Sequence, residues 1–103
     1  HAYRAALLFD RDLPLPGACA SAHACGECQD RPCLSSCPVG AITTDGYDVK
    51  SCAAHVASAA GSECRSNGCL ARRACPVGRD YIYPAHVMEF HMAAFLKEHA
   101  PEK

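Results

Sequence analysis

Nine cysteines stand in a chain of 103 residues, and eight of them fall into two blocks that end alike. The first block runs Cys25-x2-Cys28-x4-Cys33-x3-Cys37-Pro, and the second runs Cys52-x11-Cys64-x4-Cys69-x5-Cys75-Pro. Each closes on the tetrapeptide CPVG, at residues 37–40 and 75–78. Thiolates at such density serve either as disulfide staples or as metal ligands, and the redox compartment decides between them. Two cysteines separated by two residues can turn round one metal centre, with the intervening N–H groups aimed at sulfur. A small residue such as Gly26 lets that backbone come close.

The proline after each last cysteine fixes φ and carries no N–H, so it bends the chain and adds apolar cover. Cover excludes water, and solvent exposure is one of the levers on a cluster's reduction potential. The glycine that ends CPVG allows the next turn. Zinc sites rarely need a Cys-Pro of this kind, whereas iron–sulfur sites commonly use it. Two rivals stand beside the iron–sulfur reading: a structural zinc module with two four-cysteine sites, and a secreted disulfide scaffold. The odd number of cysteines and the lack of a signal-like N-terminus weigh against the scaffold.

The first block resembles the bacterial ferredoxin run C-x2-C-x2-C-x3-C-P, down to the Gly and the following Ala-Ile of "CLSSCPVGAI". Its second interval is longer by two residues, and the intervals of the second block are stretched as well. The arrangement is also similar to the C-terminal iron–sulfur region of the epoxyqueuosine reductase family, where a lone cysteine on a helix precedes the final group as Cys52 precedes Cys64, Cys69 and Cys75. The similarity covers roughly residues 25–80 and leaves out that family's cobalamin-binding part.

The resemblance implies two [4Fe–4S] clusters and a crossed ligand set, because the fourth cysteine of each run ligates the other cluster in two-cluster ferredoxins. Cys25, Cys28, Cys33 and Cys75 are then expected to hold the first cluster, and Cys52, Cys64, Cys69 and Cys37 the second. The Cys-Pro bend, which directs the chain away from the site just built, agrees with crossing. Cys19 is left over and is expected not to be a ligand. Among the eight, Cys64 has the least familiar spacing.

Positioning these thiols falls to few elements. Residues 1–9 lean weakly to a helix or strand, and Pro14, Pro16 and Gly17 end any regular element after them. The stretch "DVKSCAAHVASAAG" predicts a helix with Asp48 as N-cap and Gly61 as its stop. Cys52, His55, Val56 and Ala59 would share its inner face. The segment "PAHVMEFHMAAFLKEH" predicts a second helix opening at Pro84, with Val87, Met88, His91, Met92 and Phe95 as a packing stripe. His1, His23, His86 and His99 are expected in solvent. The expected fold is a small α+β domain, helix- and loop-rich, with a two-cluster ferredoxin-like core and few short strands. Residues 1–24 form a lead-in, 25–80 the core, and 81–103 a helix that packs on it.

Composition narrows the function. Aromatic residues make up 7 % of the chain and tryptophan is absent, so bound metal must do some of the work of a core. Ten basic residues against eleven acidic give a formal charge of −1, with no basic footprint for nucleic acid. No apolar run reaches the roughly 18 residues a membrane span needs. The chain begins with His1 rather than Met, as a processed or trimmed piece would, and a cytoplasmic location is expected. No nucleophile–base pair, phosphate loop or paired carboxylates stand out, so the residues point to electron transfer with a redox partner protein or an upstream catalytic domain, not to catalysis by this piece. Arg72 and Arg73 are read as a solvated pair, with attraction of an acidic partner as the alternative.

Overall fold

The computed structural model describes residues 5–17 and 23–100. Among the described residues six α-helices follow one another: α1 (Ala24–Glu27), α2 (Pro32–Ser35), α3 (Val49–Ala57), α4 (Ser62–Asn67), α5 (Leu70–Ala74) and α6 (Ala85–His99). Short 3-10 turns at Ala59–Gly61 and Arg79–Tyr81 join some of them. The expected α+β class is overturned. Among the described residues there is no sheet, and the one pairing of extended backbone is an isolated antiparallel bridge between Ile42 and Tyr47.

The cause lies just after each CPVG. In the first half the chain reverses within Thr43–Gly46, where the Thr43 hydroxyl accepts from the N–H groups of Asp45 and Gly46. It then enters the α3 cap at Asp48 at once, leaving room for a single bridge. In the second half the 3-10 turn Arg79–Tyr81 takes the place a partner strand would need.

Helix α3 starts where its cap predicts. The Asp48 carboxylate accepts from the Ser51 N–H at 3.0 Å and from the Ser51 hydroxyl at 2.6 Å. The helix ends earlier than Gly61, at the C-cap Ser58, and Ala59 lies in the following turn, exposed. Gly61 has a different task. A Cβ there would lie 2.0 Å from the carbonyl oxygen of His55, so the chain crosses α3 at a distance only glycine allows. Arg65 of α4 ties down the same end of α3, donating to the carbonyls of Val56 and Ser58.

Helix α6 packs on α4 and α3, and its stripe follows the expected spacing: Met88 and Met92 are buried, while Val87, His91 and Phe95 are half-buried. Pro84 stands one position earlier than expected, as the N-cap. Val56, Cys64 and Met92 form the centre of the core, flanked by Cys52, Leu70, Phe95 and Leu96. Gly68, at φ 87°, lets Met88 lie against the backbone, where a Cβ would meet the Met88 Cε at 2.2 Å. Residues 5–17 carry Leu7, Leu8, Phe9, Leu13 and Leu15, all exposed, and form no helix or strand. An isolated helix of that length is marginal in water, and here no apolar face is buried to offset the cost of ordering it.

Candidate metal centre

The two cysteine blocks meet through α2 and α5, which pack against each other. Cys33 sits in α2 and Cys37 two residues past it; Cys69 is the N-cap of α5 and Cys75 its C-cap. One cleft, of about 610 Å³, is lined by Cys25, Cys28, Cys33 and Cys75. A second, narrow and almost wholly apolar cavity of about 20 Å³ is lined by Cys37, Cys52, Cys64 and Cys69. Each cavity thus takes three cysteines from one block and its Cys-Pro cysteine from the other. Cys33, Cys52, Cys69 and Cys75 also border a third cleft of about 680 Å³, which Tyr47, Met92 and Phe95 line as well.

Local chemistry prepares each thiol differently. In the first half the longer interval after Cys28 becomes a tight left-handed turn at Arg31, φ 38°, after which Pro32 opens α2 and carries Cys33 with it. The His23 imidazole caps α1 by accepting from the Cys25 N–H at 3.4 Å, and Cys25 itself is exposed. Gly26 owes nothing to close approach, since a Cβ there would meet no atom within 4 Å. Both CPVG copies end in left-handed glycines, Gly40 at φ 60° and Gly78 at φ 71°. In the first copy this turn folds the Ala41 N–H back onto the Cys37 sulfur at 3.3 Å.

The narrow cavity is the more desolvated. Cys64 is buried, and that burial pushes its thiol pKa up against a stabilising N–H from Leu70. Cys52 is pushed up by burial first; a hydrogen bond from the Tyr47 hydroxyl acts the other way, while neighbouring Cys69, Cys37 and Cys64 add to the rise. Burial and the Cys52 contact in turn raise the Tyr47 phenol above its ordinary range. Ionisation of Cys52 and Cys64 is thus opposed by burial and by the neighbouring thiols.

All eight cysteines of the two blocks are described and carry free thiols; Cys19 lies outside the described residues. Among the described residues no three His, Cys, Asp or Glu side chains converge tightly enough to grip one ion. At about 20 Å³ the second cavity has room for roughly one water. A cluster seated there must part its four side chains; the first cleft needs no such movement.

One residue of the site, Tyr47, was not read as such from the sequence. Tyr47 reaches Cys52 because of the reversal at Thr43–Gly46, which the Asp45-Gly46 pair signals in the sequence. His55, expected to face inward beside Cys52, does line the narrow cavity. No family model, curated protein or solved structure matches the chain. The likeness to two-cluster ferredoxins and to epoxyqueuosine reductase rests on the motif residues alone. Among the described residues no helix is long and apolar enough to cross a membrane.

Proposed function

We propose that this chain is an electron-transfer module holding two [4Fe–4S] clusters, one on Cys25, Cys28, Cys33 and Cys75 and the other on Cys37, Cys52, Cys64 and Cys69. The observation that carries the reading is the pair of cavities, each bordered by four cysteines, three from one block and one from the other. When bound, such clusters take up and release single electrons. The chain's own residues set how readily. Ala41 and Leu70 direct N–H groups at the sulfurs of Cys37 and Cys64, and Tyr47 donates its hydroxyl to Cys52. Donors of this kind stabilise the more negative, reduced state. Buried Val56, Ala71 and Met92 supply apolar wall to the second site. Exposed Cys25 and the open first cleft make that site the one an electron partner reaches.

The module serves a redox partner protein or the catalytic part of a larger reductase in the cytoplasm, where thiols stay reduced. It transforms no small molecule by itself and needs neither nucleic acid nor membrane. Anaerobically purified protein is expected to be brown and to contain about eight irons and eight acid-labile sulfides per chain. Colourless protein with zinc in both sites and no sulfide would end this reading.

A further inference from the structure

Arg72 and Arg73 are adjacent in sequence and part company in the structure. Arg73 turns to the surface, where its guanidinium meets the Glu63 carboxylate at 3.2 Å between two substantially exposed side chains. Arg72 turns inward. It borders both the cleft of Cys25, Cys28, Cys33 and Cys75 and the cleft of Cys33, Cys52, Cys69 and Cys75. Its Nη2 lies 4.0 Å from the point where a Cβ on Gly78 would stand, so the guanidinium reaches the second CPVG turn. Its carbonyl also accepts from the Cys75 N–H at 3.3 Å, tying the main chain of one residue to the ligand it faces.

We infer that Arg72 is a positioning residue that sets the reduction potentials of this module, with the greater hold on the site of Cys25, Cys28, Cys33 and Cys75. The inference rests on the cluster reading above. Reduction delivers one electron to a site already ringed by thiolates, and net charge is among the quantities that fix such a potential. A permanent positive charge at the wall of the cleft favours the added electron, the more so where apolar walls limit solvent screening. Arginine suits the task because it stays protonated at every working pH. The half-buried Arg72 borders the first cleft directly and does not border the narrow cavity, so its influence is unequal. Replacing Arg73 with neutral Gln removes a charge already answered by the Glu63 carboxylate at the surface, and serves as the control.

The test is a dye-mediated anaerobic redox titration of the loaded protein, followed by electron paramagnetic resonance, in wild type, R72Q, R72K and R73Q. The R72Q change is expected to move both midpoint potentials to more negative values, that of the first site further. R72K, which retains the charge, is expected to stay nearer wild type than R72Q, and R73Q to leave both potentials in place. Wild type that contains no iron or sulfide defeats the cluster reading and this inference together. Clusters that load in R72Q and keep their wild-type potentials defeat the inference alone. Should R72Q fail to load, R72K decides: loading with near-wild-type potentials supports a role for the charge, and failure of R72K as well overturns it in favour of a role in shape.

Discussion

Cys33 and Cys75, one from each block, border the same cleft, while Cys37, one turn past Cys33, borders the other cavity with Cys69. Helices α2 and α5 pack against each other, and the proposed crossed assignment follows the linings of these two cavities. Changing Cys37 to Ala should therefore damage the site of Cys52, Cys64 and Cys69 and leave that of Cys25 and Cys28 largely intact. Cys75→Ala should do the reverse. Iron content falling by about half in each variant, with different spectra remaining in the two, checks this; identical residual spectra would contradict it.

The candidate ligand set was readable in the residues because cysteine spacing and a Cys-Pro ending are local signals. Helices α3 and α6 were readable for the same reason: a cap at Asp48, and a stripe through Met88 and Met92. Strands were expected from the resemblance and, weakly, at residues 1–9; the chain between Gly40 and Asp48 is too short to form more than one bridge once Thr43–Gly46 has reversed it. The inward turn of Arg72 and the crossing of Gly61 over α3 depend on tertiary approach, which no spacing rule encodes.

Arg65 joins α4 to the end of α3 by donating to two carbonyls, those of Val56 and Ser58, the latter at 2.8 Å. These groups sit at a helix C-terminus, where carbonyls lack intrahelical partners and a cation is favoured. Arg65→Ala should lower stability by about 1–2 kcal/mol. Thermal unfolding of the loaded protein measures it, and an unchanged midpoint would show that water replaces the guanidinium without loss.

Asp48 contributes a pH-dependent share to the start of α3. The Ser51 hydroxyl, and after it the Ser51 N–H, hold its carboxyl below the ordinary value of 3.8. A group whose folded-state pKa is lowered stabilises the fold above its unfolded value and ceases to do so as the pH drops through the lower one. D48A should accordingly be less stable than wild type near neutral pH, and the gap should close in acid below the ordinary carboxylate range. Unfolding curves of both proteins over that range provide the comparison; a gap that stays constant with pH would assign the effect to helix shape and not to charge.

Gly61 and Gly26 give opposite expectations for the same substitution. An alanine Cβ at Gly61 would lie 2.0 Å from the His55 carbonyl oxygen and 2.7 Å from the Val56 Cα. Both are backbone atoms of α3, so no side chain can move aside, and the turn Ala59–Gly61 must lift away. Lifting it displaces α4, and with it Cys64, from contact with Val56 and Met92 in the core. Overpacking of this kind costs about 1–3 kcal/mol, and here the loss includes a proposed ligand. Gly26 has no neighbour within 4 Å and lies in a helix, so G26A should change stability by no more than about 0.5 kcal/mol. Unfolding midpoints and iron content measured side by side separate the two: G61A should lose stability and the iron of the Cys64 site together, while G26A should keep both. A G61A protein that retains full iron and a wild-type midpoint would show that α4 can rise from α3 without disturbing the second site.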